Sequence, residues 1–297
     1  MSYEFKHKAF SVSSAGITAS IFVVVLNIRL LWKFQNSPIR KKPEYHLYQI
    51  RFFVDICYSI AVSIYYVALD ISYLSPFFLF HYKILFVVTL LSSNILSTRF
   101  FLAALISIER LIAVFLPVQF HNNRQKLPVF IFFTMLLLWG MFEDVMYFWI
   151  CDISPFIKDC SVLGCTYNDC FLQYWTGSKL VIGGFTCLSS LVLFFKLLAL
   201  KKTMNIVNLS KTNYLCIGDS CLTLLFDFTP FLLTLVLRTQ LYSADIYGPY
   251  NATAKSTACF IDAMIATWVL KKPLKPTQIR QINSLKRISD RHGSSRT

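Results

Sequence analysis

Leu105-Ile-Ser-Ile-Glu109-Arg110-Leu-Ile-Ala-Val-Phe-Leu-Pro117-Val-Gln-Phe-His-Asn-Asn-Arg124 decides how the rest of the chain is read. A long apolar run ends in an acid–base pair, a short apolar run follows, and then come a proline and a polar, basic segment. Charges are expensive at a bilayer centre but reach water or each other at a helix end. The stretch therefore reads as a membrane helix that brings Glu109 and Arg110 to its cytoplasmic mouth and stops near Pro117. An ordinary helix end with snorkelling charges fits the pair taken alone.

Composition supports the membrane reading. The chain has 297 residues, of which 56% are hydrophobic and only 15% charged, with 28 phenylalanines. Soluble domains rarely exceed about half apolar. A spanning helix needs about 20 mostly apolar residues, and such runs recur along the whole chain. The net charge of +14 does not point to nucleic acid, because the basic residues lie between apolar segments and form no basic face.

Outward from the opening stretch, seven apolar segments are expected. They run over about Phe10–Phe34, Leu47–Leu74, Tyr82–Phe115, Leu127–Ile150, Gly177–Leu200, Asn213–Leu237 and Asn251–Leu270. The first is long enough to span and is read as an uncleaved helix. Residues 1–9 are a short extracellular N-terminus, 10–270 the membrane domain and 271–297 a basic cytoplasmic tail. An all-α, polytopic, seven-helix bundle follows.

Orientation comes from two independent signals. Alternate loops, their adjoining helix ends and the tail hold 20 of the 29 Lys and Arg residues, Arg51 being counted with the first of these loops. Positive charge stays in the cytoplasm, so the N-terminus lies outside. Cys151, Cys160, Cys165 and Cys170 crowd one loop, which this orientation puts on the oxidising side where disulfides persist. They allow three pairings, and a two-disulfide cap is expected. The other five cysteines read as small buried hydrophobes.

The seven spans and the Glu109-Arg110-Leu111 triplet followed by Pro117 resemble a rhodopsin-type G-protein-coupled receptor. Asn27, Asp55, Trp139 and Pro230 fall in order in helices one, two, four and six. The run from Ser107 to Arg124 is more closely similar to the third-helix signature of the nematode serpentine chemoreceptors, class BC. There are departures. Leu111 replaces the usual tyrosine, and helix seven reads Asp262-Ala-Met-Ile-Ala266. Helix three has no outer cysteine, and helix six has Lys211 but no acid before Asp219.

The resemblance implies a chemosensory receptor in the plasma membrane of sensory neuron cilia. It would bind an external small molecule and activate a heterotrimeric G protein, with membrane lipid and receptor homo- or hetero-oligomers as further partners. Glu109, Arg110 and Pro117 would carry coupling. A receptor-like or ligand-gated channel subunit needing a partner chain is the alternative.

Residue chemistry adds an intramembrane polar switch of Asn27, Asp55, Arg99 and Asp262. Arg99 lies about three turns above Arg110 on one face, and a buried charge needs a partner, so Arg99 is expected to pair with Asp55 and share Asp262. Ligand-wall candidates are Tyr65, Tyr66, Tyr73, Tyr82, Glu143, Asp144 and Tyr147. Asn251-Ala-Thr is a glycosylation sequon on the outer side. The five histidines form no catalytic box and no metal-like spacing occurs, so neither an enzyme nor a cofactor is expected. A transporter would show repeats and broken helices.

Overall fold

The structure is a computed structural model that describes residues 3–36, 45–74, 82–124, 126–154, 167–204, 211–229, 232 and 250–271. Helix α1 spans Tyr3–Gln35, α2 His46–Leu74, α3 Tyr82–Phe115, α4 Pro117–Arg124 and α5 Val129–Val145. Helix α6 spans Asp169–Met204, α7 Lys211–Thr223 and α8 Tyr250–Lys271. A π turn extends α5 over Met146–Ile150, and another extends α7 over Leu224–Phe228. All but the short α4 are rods of a bundle. Tyr3 to Ala9, expected in the N-terminal tail, are already helical.

Among the described residues, four helices are long and apolar enough to cross a membrane, at Phe10–Gln35, His46–Ile71, Val129–Ile150 and Asp169–Ala199. Their outward faces carry Phe22, Trp32, Phe130, Trp149, Val181 and Phe195, all exposed. Lipid is as apolar as these side chains, so such faces need no protein cover.

Helix α3 is central, packing on α2, α5, α6 and α7, and α8 closes the bundle between α7 and α1. The inner half holds the largest apolar cluster, with Phe34, Phe52, Leu102, Ile106, Leu193 and Leu215. Two smaller clusters fill the outer half. One joins α1, α2 and α8 through Val23, Tyr58, Tyr66 and Cys259. The other joins α3, α5 and α6 through Phe86, Tyr147, Phe171 and Trp175.

Local chemistry sets several ends. Asn168 caps α6, its Oδ1 accepting from Phe171 N at 2.9 Å while its Nδ2 donates to Cys151 O at 2.6 Å. Asx side chains suit that position because they satisfy free amides of the first turn. Asp152 turns the chain after the π turn of α5 with φ 47°, a conformation Asp tolerates better than most residues. At the inner end, Lys33 Nζ and Lys211 Nζ donate to Leu270 O at 3.4 and 3.3 Å. Two cations thus answer the carbonyl end of α8. Gly16 lets α1 approach α2 closely, since a Cβ there would stand 2.5 Å from the Tyr66 ring.

Candidate functional site

Among the described residues, three groups of charged side chains stand out in the bundle. The deepest is built on Arg51 and Asp55, one turn apart on α2 and therefore on one face. Arg99 Nε donates to Asp55 Oδ1 at 2.7 Å. Arg51 Nε stands 3.5 Å from Asp55 Oδ2, and Arg51 Nη1 donates to Arg99 O at 3.1 Å. Arg51 Nη2 bonds Asp219 Oδ1 of α7 and lies 3.6 Å from Asp262 Oδ2 of α8. Arg99 Nη2 is 3.8 Å from the same oxygen. All five side chains are buried. Two arginines and three aspartates thereby link α2, α3, α7 and α8.

Arg51 corrects the charge count made from the sequence. It does not belong to the basic inner loop but to the bundle core, at 1% exposure. Its loss leaves the asymmetry between loops intact. Asn27 is fully buried, and neither atom of its amide has a hydrogen-bond partner among the described residues. Outward of Asn27 on α1, Ser13 meets Asp70 and Ser20 meets Ser256, and this register sets Asn27 near the depth of Asp55 and Asp262.

The second group lies at the inner mouth. Arg110 Nη2 is 3.2 Å from Glu109 Oε1, and Arg110 Nη1 donates to Thr212 Oγ1 on α7 at 3.0 Å. Tyr48 OH donates to Thr212 O at 2.9 Å. Helix α3 stops at Phe115, and Pro117 opens α4, where its missing N–H costs nothing. Helix α4 folds back so that Arg124 Nε donates to Glu109 Oε1 at 2.8 Å. Phe120 lies 5.7 Å beneath the Arg110 guanidinium, and Phe132 4.8 Å from that of Arg124. Glu109 therefore serves two arginines.

The third group occupies the outer half of α3, α5 and α6. Ser97 Oγ donates to Glu143 Oε1 at 2.6 Å and accepts from Lys179 Nζ at 2.5 Å and Trp139 Nε1 at 3.0 Å. Lys179 Nζ lies 3.4 Å from Glu143 Oε1. Asp144 Oδ1 accepts from Asn94 Nδ2 at 2.7 Å. Trp139 stacks on Phe101 at 4.8 Å, and both line an apolar groove of about 390 Å³ with Met135, Leu138 and Phe142. Cys151 is bonded to Cys170, which ties the end of the α5 rod to the start of α6 above this group.

The profile of the serpentine type 7TM GPCR chemoreceptor Srbc family matches residues 5–274, all seven rods and their connections. The chain belongs to that family. It is a nematode chemoreceptor family of seven-transmembrane serpentine receptors, which accounts for the helical architecture and the multi-pass membrane character. A comparison with curated proteins gives no match.

Within this Srbc chain the ligand-wall candidates divide between two places. Tyr65 and Tyr66 belong to the α1–α2–α8 cluster, where Tyr66 OH bonds Thr253 Oγ1 at 2.9 Å. Glu143, Asp144 and Tyr147 belong to the α3–α5–α6 side, with Tyr147 set edge-on to Phe171 at 4.9 Å. The side chains of Tyr73, Tyr82 and Asn251 lie outside the described residues, as do Cys160, Cys165, Pro230 and the tail beyond Lys271. Of the three cysteine pairings, the structure has the one that joins Cys151 to Cys170.

Sequence reasoning passed over Arg51, Ser97, Lys179, Thr212 and Asp219 as site residues. Arg51 had a usable signal, being four residues before Asp55. Lys179 had one too, as a lone cation in an apolar run. Thr212 and Ser97 are ordinary helix residues until their neighbours are known.

Proposed function

We propose that this Srbc receptor is a chemosensory G-protein-coupled receptor. An external small-molecule cue binds in the outer half and biases a helix-packing equilibrium that opens a heterotrimeric G-protein site at the inner mouth. The observation that carries this reading is the placement of Arg110. It is buried at the inner end of the central helix, paired with Glu109 and bonded to Thr212 of α7. A contact of this kind changes whenever α7 moves relative to α3. A neutral threonine occupies the place where an acid would make an ion pair, so the contact is weaker and easier to release.

The ligand contacts are proposed for the α3–α5–α6 side. Glu143, Lys179 and Ser97 supply polar anchors beneath the aromatic cluster of Tyr147, Phe171 and Trp175, the mixture small-molecule sites use. Asn27, Asp55, Arg99 and Asp262 are the intramembrane polar switch, with Arg51 and Asp219 as added partners of its charges, and the receptor acts in the plasma membrane of sensory cilia.

The test has two parts. Tags at each end, stained in intact cells, should reveal the N-terminal tag alone. Coupling is then measured for the wild type expressed alone and for Arg110→Ala at matched surface level. Loss of coupling in the variant is expected. Equal signalling from both would remove Arg110 from the mechanism. No coupling by the wild type alone would favour a subunit that needs a partner chain.

A further inference from the structure

The deep core and the inner mouth balance their charges differently. In the core, Arg51 and Arg99 face the carboxylates of Asp55, Asp219 and Asp262. At the mouth, Arg110 and Arg124 share one oxygen of a single carboxylate, that of Glu109. Both arginines are buried, at 2% and 3% exposure, and so is Glu109. Among the described residues no other acid pairs with either arginine.

The hydrogen bonds show the same shortage. Each guanidinium carries five N–H donors in one plane and keeps its proton in proteins. Arg110 uses Nη1 on Thr212, a neutral partner. Its Nε and Nη2 form one edge of the fork, and neither has a hydrogen-bond partner among the described residues. The Glu109 contact at Nη2 is one of charge, without hydrogen-bond geometry. Arg124 uses Nε on Glu109 and Nη1 on Leu127 O, and its Nη2 is left over. Phe120 and Phe132 lie over the two guanidiniums. A ring on the face meets none of the in-plane donors.

We propose that the inner mouth binds a small inorganic anion of chloride size, held by the Nε–Nη2 edge of Arg110 and by Arg124 Nη2. A buried charge without a counter-charge is strongly destabilising. Water would satisfy the donors but not the charge, and arginine cannot shed its proton to relieve it. Closure of the mouth sets the size. Phe120 and Arg124 of α4 stand over Arg110 and Glu109, so a lipid headgroup or a peptide carboxylate reaches them only if α4 is displaced. A single ion does not require that. Further cations raise the local potential for anions: Lys33 and Lys211 at Leu270 O, and Lys196 over the Phe115 ring. The bound anion ties α4 to the end of α3 through both arginines. The site stands whether or not the mouth couples to a G protein.

The test is thermal unfolding of the full chain in phosphatidylcholine nanodiscs, with sodium chloride exchanged for sodium isethionate at constant ionic strength. Chloride should raise the melting temperature along a saturating curve, as an ion that binds the folded state does. Bromide should act as chloride does. Two variants should move the response in opposite directions. Arg124→Gln removes the surplus charge and should abolish the response. Glu109→Gln removes the opposing charge and should lower the half-saturating chloride concentration by about fivefold or more. A melting temperature that ignores the anion would overturn the site and leave water on the donors. So would a response that persists in Arg124→Gln, or one that Glu109→Gln leaves unchanged or weakens. If either variant cannot be recovered folded, amide hydrogen exchange on the wild type decides. Chloride should slow exchange across 117–124 by about threefold or more, with α2 unchanged. Slowing elsewhere alone, or none, overturns the proposal.

Discussion

Arg124 and Glu109 meet at 2.8 Å although 15 residues and a proline separate them. The meeting is made by α4, which begins at Pro117 and returns its last residue to the end of α3. Arg124 thereby competes with Arg110 for one carboxylate oxygen. Removing Arg124 and neutralising Glu109 should not add. A double-mutant cycle of Arg124→Ala and Glu109→Gln, followed by thermal unfolding in detergent, should give a coupling of about 1–3 kcal/mol. Additive losses would mean that the contact contributes nothing.

Lys179 and Glu143 are buried opposite charges sharing Ser97. Lys179→Met should leave an uncompensated carboxylate, costing about 3–5 kcal/mol, and reduce surface expression sharply. Lys179→Met with Glu143→Gln should recover most of it, because the remaining groups are neutral. Quantitative cell-surface staining checks both, and a double variant no better than the single would exclude the pair as the cause.

The Cys151–Cys170 bridge closes a loop with a separation of 19 residues. Losing it should cost about 3 kcal/mol through the freedom returned to the unfolded loop. Cys151→Ser, Cys170→Ser and the double variant should all lower the melting temperature by the same amount. A double variant clearly worse than either single would show that the cysteines act separately.

Gly16 faces the Tyr66 ring with no room for a methyl group. Gly16→Ala should displace Tyr66 from Thr253 and destabilise the outer half by about 1–3 kcal/mol. Adding Tyr66→Ala should cost less in the Gly16→Ala background than in the wild type. Melting temperatures of the four proteins measure this.

Much of the architecture was legible because membrane crossing depends on local quantities. Runs such as Phe10–Phe34 and Leu127–Ile150 need only length and apolarity to be recognised. The Ser107–Arg124 stretch carried the family resemblance, and the family profile covers residues 5–274. Glycine and cap positions were less legible. Nothing before the structure marked Gly16 as the place where α1 meets Tyr66, or Asn168 as the cap of α6.

The candidate site was legible only in part, and its charges show why. The need of a buried charge for a partner paired Arg99 with Asp55, and the spacing of Arg51 four residues before Asp55 puts both on one face without showing that Arg51 also reaches Asp219. Arg51 stands next to Gln49 and Ile50 near a basic segment, and it reads locally as a snorkelling helix end. Apolar periodicity could not correct that reading. Lipid-facing residues such as Ile21, Phe22 and Phe195 are as apolar as the buried Val23 and Leu193 beside them. A membrane helix therefore hides which of its faces is the inner one.

The sequence by itself determined seven apolar spans, the loops between them, the side on which positive charge stays and the chemoreceptor signature at the end of helix three. Those follow from transfer of residues between water and lipid, which each segment undergoes on its own. Only the tertiary structure decided which charge meets which: Arg51 with Asp219, Lys179 with Glu143, Arg124 with Glu109. A buried charge is paid for by the nearest partner in space, and rotation and axial register between helices set which partner that is.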